Sequence, residues 1–475
     1  MLAVWSRLIK QEQGENFKMT SQKQSQLTNQ ILHGNLVQLM FKLTAPSIAG
    51  SLVLGLTPFI DALFAGQFLG KTAIGGITLA LPFISLMGGL TDLIGIGSAS
   101  LLSRAIGSGD IKTQSKIFGN LVVMSVVISF ILTIIGYSFA EEFIVFMGGR
   151  GEVAFAGAQF LKTYVLGSVF FVLGIACNDL IKSEGKLRIS MIFTIIFFST
   201  NLIFNTVFVS VFHWGIMGLA LATVIAKAAY CTGLLLYYFS GKSLIKVDYK
   251  KIIVAIDLLP EILSVGSSNL IMPAIAFIQS FVVFQLISRH GTQNDIAFFG
   301  ATVTLNSLAY IPLGGFLQSF QPVIGINYGA KNYDRIKKAY LIFVICATVL
   351  LTFFWVCIQL EPEKFLGLIL PDIAFNTNDL INFHLLSLLI PIMGFVPFSA
   401  VLFQSIGQGK IVSIIVLLKG LFIYIPIVFL LGQQMGIRGI YFGIITTDLL
   451  VLLIALILTF RKFQYFKKIL VNSSY

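Results

Sequence analysis

Charged residues are scarce in this sequence. Asp, Glu, Lys and Arg make up 11% of the 475 residues, whereas 57% are hydrophobic. Soluble globular proteins contain about 25% charged and about 45–50% apolar residues, so this composition excludes a soluble enzyme with a polar surface. A bilayer crossing takes roughly 20 to 25 apolar residues, which leaves room for about a dozen helices and no sizeable soluble domain. We therefore predict an all-α integral membrane protein.

Residues that carry cofactor and metal chemistry are also few. The sequence has four Cys and four His residues. Cys177, Cys231, Cys346 and Cys357 lie in apolar stretches without a CxxC spacing, which indicates buried thiols rather than disulfides or metal ligands. The histidines are equally scattered. We expect no resident cofactor.

Motifs for catalysis and nucleotide binding are missing as well. The sequence contains neither HExxH nor a credible Ser/His pair, so we do not expect an enzyme. A Walker A sequence is also missing, which excludes ATP as the energy source. The net charge of +12 does not indicate nucleic-acid binding, because that function needs a basic face on a folded soluble module. In a membrane protein, positive charge usually marks the cytoplasmic loops.

Twelve apolar runs are present, separated by charged or Gly- and Pro-rich joints. Each is long enough to cross a bilayer as a helix. They lie near 38–68, 74–102, 117–139, 157–181, 188–212, 216–240, 258–288, 296–326, 339–359, 380–406, 411–431 and 438–460.

The distribution of Lys and Arg predicts the orientation. Most of the 32 basic residues lie in the two terminal segments and the even-numbered joints, so that side is expected to be cytoplasmic. Residues 1–34 are polar and Gln-rich without an apolar h-region, which indicates a cytoplasmic tail rather than a signal peptide. With twelve crossings both termini are cytoplasmic. The expected location is the plasma membrane, the inner membrane of a bacterium.

These features predict the domain boundaries. They are an N-terminal tail (1–34), a first six-helix bundle (35–241), a cytoplasmic linker (242–257), a second six-helix bundle (258–460) and a C-terminal tail (461–475).

The two bundles resemble each other in sequence. GIMG at 215–218 matches GIRG at 436–439, and GSGD at 107–110 matches GAKN at 329–332. Gly185-Lys186 matches Gly409-Lys410, so the separations are 221, 222 and 224 residues. Six crossings per half is an even number, so the halves share one orientation and form a parallel repeat about an axis along the membrane normal. This arrangement predicts two bundles around a central cavity and transport by alternating access.

An ordered series of motifs resembles a known family. In the first half these are FKLTAP (41–46), PFIDALFAGQ (58–67), GIGSASLLSR (95–104), GSGD (107–110) and GIMG (215–218) with Ala222-Thr223. The second half contributes Pro397-Phe398 and QSIGQGK (404–410). Over residues 36–460 the sequence resembles the multidrug and toxic compound extrusion (MATE) transporters, in the branch of the bacterial DNA-damage-inducible type.

The resemblance implies a secondary antiporter that expels amphipathic, often cationic, compounds in exchange for H⁺ or Na⁺. In matching members an Asp of the first crossing works with an Asn and an Asp of the fifth and a Thr of the sixth. The corresponding ion-coupling residues, and a possible Na⁺ site, are Asp61, Asn201, Asn205 and Thr223. Asn205 departs from the pattern because an amide cannot titrate, which puts a two-carboxylate site in doubt.

Asp61 is a functional candidate on physical grounds as well. A carboxylate inside the bilayer is costly unless it is paired, hydrated or protonated. Asp61 follows Pro58, which leaves the carbonyl of Leu54 without its usual helical partner and favours a bend there. A group that is charged in one state and neutral in another can couple a proton to a conformational change.

Two lysines lie within predicted crossings. Lys227 lies four residues after Thr223, on the same helical face, and we hypothesise that it pairs with Asp61 in one state. The alternative is that Lys227 extends to the cytoplasmic side or pairs with a lipid phosphate. The repeat places Asp448 at the position equivalent to Lys227, which makes Asp448 a second ion-coupling candidate with Lys419 as its partner or as a structural anchor. Asp92 and Asp179 are interpreted as structural or interfacial.

The expected partners are small-molecule substrates and membrane lipids, and we expect a monomer. One alternative keeps this fold with another cargo, a lipid-linked saccharide flippase of the same superfamily. Such a protein more often needs cavity cations for pyrophosphate, and here only Lys227 and Lys419 could serve.

Overall fold

The computed structural model describes residues 26–245, 255–370 and 375–473. These residues form helices and short connections, and they contain no strand. A short helix over residues 26–33, here called the N-terminal helix, precedes the first crossing.

The first half contains six crossings. They are α1 (Leu36–Phe64, extended by a π-helical turn over Ala65–Leu69), α2 (Gly70–Ser108), α3 (Ile111–Ser138), α4 (Gly151–Val165 and Ser168–Ser183, bent by 56°), α5 (Leu187–Asn205 with a π-helical turn over Thr206–Val211) and α6 (Gly215–Phe239).

The second half repeats this plan. It contains α7 (Leu259–His290), α8 (Gln293–Gly329), α9 (Tyr333–Leu360), α10 (Thr377–Ser387, Ile390–Met393 and Phe395–Ser405), α11 (Gly409–Leu417, a π-helical turn over Leu418–Ile423 and the continuation from Tyr424 to a break at Gly436) and α12 (from that break to Ser473).

Two continuous helical stretches each contain two crossings. Leu36–Ser108 has 73 residues, which as one helix would span about 110 Å against a hydrocarbon layer of about 30 Å. Gly70 interrupts it with φ 80° and ψ −174°, and Gly436 interrupts the second stretch with φ 63° and ψ −142°. Both conformations lie in regions that glycine adopts readily, so the chain reverses at these residues.

The predicted twelve-helix, all-α fold is confirmed. Several helices are longer than their apolar runs: α2 begins at Gly70 and ends at Ser108, whereas the hydropathy pattern predicts 74–102. The apolar run is limited by the hydrocarbon layer, but helical hydrogen bonds continue into water. The predicted domain boundaries stay predictions, and most of the linker (246–254) and of the N-terminal tail (1–25) lies outside the described residues.

The two halves contact each other in a symmetric way. Within the first half α1 packs on α5, and within the second half α7 packs on α11. Between the halves α2 packs on α7, and the equivalent pair, α8 and α1, forms the matching contact. Exchanging the halves therefore reproduces the interface, as a parallel repeat requires.

Glycines bring these helices into backbone contact. A Cβ on Gly107 would collide with the carbonyl oxygen of Ile326, and a Cβ on Gly329 would collide with that of Arg104. Ile326 and Arg104 are themselves repeat equivalents, so the two collisions are the same contact seen from each half. Small residues at a helix interface permit this close approach.

Polar side chains also join the halves, at the end of the molecule where Gly107 and Gly329 lie. This end carries the N-terminal helix, the joints near 103–116, 182–188 and 331–338, and residues 461–473, and it is here called the basic face. Thr44 Oγ1 lies 2.8 Å from Ser319 Oγ, and the Arg104 guanidinium contacts the carboxylate of Glu261 on α7. The basic face is therefore closed between the halves.

A second ion pair lies on the surface of the basic face. Lys116 Nζ is 3.1 Å from Asp257 Oδ2, and this hydrogen bond lowers the pKa of the Asp257 carboxyl. Because its pKa is lowered, the Asp257 carboxyl stays ionised at pH values below the usual pKa range of a carboxyl group. The contact is lost only when the pH falls further. The pair thus stays intact between pH 5 and 8 on this ground.

The N-terminal helix is held at its C-terminal end by the second half. Arg335 donates from Nε to the carbonyl of Ile31 at 2.9 Å and from Nη2 to that of Gly34 at 2.5 Å. A cation at this position satisfies carbonyls that lack intrahelical partners. Ile31 is fully buried.

The four cysteines are free, as predicted. Cys177 and Cys231 are buried, whereas Cys346 and Cys357 are half-buried.

Substitution of Gly107 by Val is expected to lower stability, because the added side chain has no space at Ile326. Overpacking of this kind costs about 1–3 kcal/mol. Gly88→Val is the matched control on the same helix, since a Cβ there meets nothing within 4 Å. The midpoint of thermal unfolding in detergent should fall for Gly107→Val and not for Gly88→Val. Equal midpoints would contradict the contact.

Candidate functional site

A chain of hydrogen bonds joins four predicted site residues in the first half. Asn205 Nδ2 donates to Asp61 Oδ1 at 2.7 Å and to Asn201 Oδ1 at 3.1 Å. Asn201 Nδ2 in turn donates to Thr223 Oγ1 at 3.2 Å. The structure thus brings together Asp61 of α1, the two amides of α5 and Thr223 of α6.

Helical spacing explains this convergence. Asn201 and Asn205 lie one turn apart, so they share the face of α5 that packs on α1 and α6. Both amides are fully buried. A buried amide must find hydrogen-bond partners, and the Asp61 carboxylate and the Thr223 hydroxyl supply them.

Lys227 lies beside this chain but does not pair with Asp61. Its Nζ lies 4.1 Å from the ring centroid of Phe197, 5.0 Å from that of Phe171 and 5.8 Å from that of Tyr230. Among the described residues no carboxylate comes within 4 Å of it. Aromatic faces attract a desolvated ammonium, so this cage stabilises Lys227 in the conformation observed. The hypothesis of an ion pair with Asp61 in another state stays a prediction.

Asp61, Thr223 and Lys227 line one cavity of about 300 Å³, here called the first-half cavity. Its walls are mainly apolar and come from α1, α2, α4, α5 and α6. Tyr164 and Phe197 add aromatic surface. The cavity therefore combines one acid, one base and an apolar wall.

The oxygen atoms around Asp61 suit H⁺ or Na⁺. Asn205 Oδ1 is buried without a hydrogen-bond partner among the described residues, although its amide nitrogen donates twice. A carboxylate, two amide oxygens and a hydroxyl are ligands that a hard cation accepts. A cluster of three or more His, Cys, Asp or Glu residues, as transition metals prefer, is not found in the described parts of the chain.

The second half contains an ion pair at the predicted residues. Lys419 Nζ of α11 lies 2.9 Å from Asp448 Oδ1 of α12, and the two side chains are 29% and 25% exposed. The pair lines a cavity of about 530 Å³, here called the second-half cavity, together with Asn269, Gln279 and Tyr310. Asp448 is thus already neutralised by Lys419 in this conformation.

The two cavities place different chemistry at equivalent positions of the repeat. Lys419 and Asp448 lie 222 and 221 residues after Phe197 and Lys227. A contact between an ammonium and an aromatic ring in the first half thus corresponds to an ion pair in the second. The candidate residues line two cavities, each formed by one half. The central cavity between the two bundles stays a prediction.

The other two intramembrane acids lie nearer the basic face. Asp179 Oδ1 is 3.1 Å from Lys182 Nζ, and a Cβ on Gly95 would lie 2.5 Å from Asp179 Oδ2. The carboxylate thus packs against α2. Neither Asp92 nor Asp179 lines the two cavities described here. Their interpretation as structural or interfacial residues stays a prediction.

Sequence reasoning missed the aromatic cage. Phe197 precedes Asn201 by one turn and lies on the same face of α5. Extending the spacing of Asn205 and Asn201 by four residues toward the N-terminus would have identified Phe197. Tyr230 lies three residues after Lys227 on α6, so the helical period alone places it beside Lys227. No local signal places Phe171 there, because α4 and α6 meet only after folding.

Substitution of Lys227 by Met is expected to raise the free energy of unfolding. The ammonium is buried, and no carboxylate of the described residues lies within 4 Å of it, so an apolar side chain of similar length removes this desolvation cost. We expect a gain of about 1 kcal/mol by SDS titration. Lys227→Arg keeps the charge and serves as the control. A loss of stability in Lys227→Met would contradict this expectation and would mean that the contacts of the ammonium outweigh its desolvation cost.

The ion pair in the second half should show coupling between its partners. Removing one partner leaves the other charge uncompensated. The losses of stability in Lys419→Met and in Asp448→Asn should therefore add up to more than the loss in the double variant. Partial exposure weakens the effect, and we expect a coupling energy of about 1–2 kcal/mol in a double-mutant cycle. Additive effects would mean that the contact contributes nothing.

Comparison with known proteins agrees with this architecture. Multidrug export protein MepA from Staphylococcus aureus (strain MRSA252) is 22% identical over 423 residues, which cover 89% of this chain and 93% of the relative. MepA from Staphylococcus saprophyticus is 25% identical over 429 residues with the same coverage.

Solved structures share the fold. A MATE protein crystallised in the bent conformation superposes with a TM-score of 0.87 at 20% identity, covering 93% of this chain and 98% of that one. An outward-facing multidrug resistance transporter of the MATE family gives a TM-score of 0.85 at 19% identity, with 92% and 98% covered.

The family model MatE matches residues 46–207 and 267–430, one match in each half. These matches cover more than half of the chain. They include Asp61, Asn201, Asn205 and Lys419. The chain therefore belongs to the MatE family, the multidrug and toxic compound extrusion transporters that its motifs resemble.

Proposed function

We propose that this protein is a secondary active multidrug efflux antiporter that expels amphipathic, cationic compounds in exchange for H⁺ or Na⁺ by alternating access. One observation carries the proposal: the carboxylate of Asp61 lines a mainly apolar cavity, while the cavity's own ammonium, Lys227, is held by aromatic rings instead. The acid is thus available to a cation from outside. The names of the MepA relatives support multidrug export.

Competition for Asp61 gives a physical reason for exchange. When Asp61 is ionised, Lys227 and Asp61 make the first-half cavity neutral overall. Binding of H⁺ or Na⁺ at Asp61 leaves Lys227 as the uncompensated charge, and a further organic cation is then repelled. The coupling ion and the substrate therefore favour different occupancy states of the same carboxylate, as antiport requires.

The hydrogen-bond chain connects Asp61 to two other helices. Asn205 and Asn201 link the carboxylate of α1 to α5 and to Thr223 of α6. Neutralising Asp61 weakens its charge-assisted hydrogen bond from Asn205. A change of charge at one carboxylate can in this way alter the packing of α1 against α5, which is the link from ion binding to conformation.

The second-half cavity has a supporting part in this scheme. Asp448 is already paired with Lys419, so a cation must displace an ammonium to reach it. We therefore assign the main coupling role to Asp61. The charge content also disfavours the saccharide flippase, because each cavity offers one lysine that a carboxylate of the same cavity balances.

The remaining expectations belong to the same proposal. The protein acts as a monomer in the plasma membrane of a bacterium, with both termini and hence the basic face in the cytoplasm. The excess of Lys and Arg on this face supports that orientation.

The test is transport of ethidium by the purified protein in proteoliposomes, with a pH gradient and a Na⁺ gradient imposed separately. We expect one gradient to drive ethidium movement and Asp61→Asn to reduce it to the level of protein-free liposomes. Asp110→Asn is the charge-matched control, because Asp110 caps α3 on the basic face and Asn caps a helix equally well.

The ion follows from which gradient is effective. Dye movement in wild type and Asp61→Asn alike would contradict the role of Asp61. No movement under either gradient, with protein shown to be folded, would contradict the proposed function.

A further inference from the structure

A groove lies on the outside of the second half, at its basic face. It runs between α9 and the extension of α12, and its volume is about 620 Å³. None of the residues that line it lines the first-half cavity or the second-half cavity. It is separate from the ion-coupling residues.

Aromatic contacts form the floor of this groove. Tyr333 of α9 stacks on Phe466 of α12 with 4.8 Å between ring centroids, and Tyr340 meets Phe463 edge-on at 5.3 Å. Offset-stacked and edge-to-face pairs are the favourable arrangements for such rings. The groove is therefore a built feature of the interface between two helices.

The groove has one apolar end and one charged end. Leu341, Leu456 and Phe460 line the apolar end, and Phe460 is 65% exposed. Lys337 precedes Leu341 by one turn of α9, and Lys467 follows Leu456 by about 16 Å along α12. Because the two helices run in opposite directions, both lysines lie at the same end, beyond the apolar part.

The charged end has an excess of positive charge. Residues 331–338 and 461–468 contain eight Lys and Arg residues and one acid, Asp334, which also lines the groove. Arg335 is occupied by the carbonyls of the N-terminal helix. Lys337 and Lys467 have no carboxylate within 4 Å among the described residues.

We propose that this groove binds one anionic phospholipid, with its phosphate at Lys337 and Lys467 and an acyl chain along Leu341, Leu456 and Phe460. Two ammonium groups at the mouth of the groove complement a phosphate, and basic pockets between membrane helices are sites of this kind. The apolar end would contribute nothing to binding free phosphate, whereas it matches an acyl chain. The proposal does not depend on the transport activity.

Lipid bound here would connect α9 to α12 where both leave the apolar layer. A ligand that binds the folded state raises its stability by an amount that grows with the logarithm of the ligand concentration relative to its Kd. The predicted consequence is that an anionic lipid stabilises the protein more than a zwitterionic lipid with the same acyl chains.

The experiment is native mass spectrometry of the full chain in detergent, with dioleoyl phosphatidylglycerol or dioleoyl phosphatidylcholine added at equal concentration. We expect phosphatidylglycerol to be retained at higher occupancy. Lys337→Gln/Lys467→Gln should lose this preference. Lys112→Gln/Lys410→Gln, which removes two exposed lysines elsewhere on the basic face, should keep it.

A second variant tests the apolar end without a change of charge. Leu341→Trp fills the groove and should also reduce phosphatidylglycerol occupancy, with the thermal midpoint reporting that the protein is folded. Equal retention of the two lipids, or unchanged preference in both groove variants, would overturn the proposal. Displacement of the lipid by millimolar inorganic phosphate would instead identify a site for the free anion and would also overturn it.

Discussion

An ionised side chain in an apolar environment must be compensated, and this constraint organises the interior of the protein. Each half places one lysine at a cavity, buried in the first half and half-buried in the second. In the second half a carboxylate compensates the ammonium of Lys419 directly. In the first half three aromatic rings surround Lys227, and the nearby Asp61 is left to hydrogen bonds from an amide. The two ammonium groups are therefore satisfied in different ways.

Close packing between the halves is the second constraint. The glycines at the ends of α2 and α8 let two backbones touch, and the ion pair of Arg104 with Glu261 lies in the same region. Under the alternating access proposed above, the contacts that close the basic face are the ones that would have to separate.

Duplication has supplied the architecture but not the chemistry. The contacts of α2 with α7 and of α8 with α1 are symmetric, and twelve crossings follow from six. At the equivalent positions Phe197 and Lys419, or Lys227 and Asp448, the side chains differ completely. Packing is shared because backbone geometry repeats, whereas the charges have diverged so that the two halves hold unlike sites.

The sequence alone determined the membrane class, the twelve crossings, the parallel repeat and the candidates Asp61, Asn201, Asn205 and Thr223. These follow from hydropathy, which is a local property, and from a family pattern that a linear series of motifs carries. The family comparison agrees with that series in both halves.

Tertiary structure alone decided which groups meet. Lys227 lies one helical turn from Thr223 and from Tyr230 on α6, but only folding places the rings of Phe171 and Phe197 beside its ammonium. The separation into two cavities and the groove between α9 and α12 were likewise invisible in the sequence. Their residues are far apart in the chain, and hydropathy and helical period describe one helix at a time and carry no information on which helices pack together.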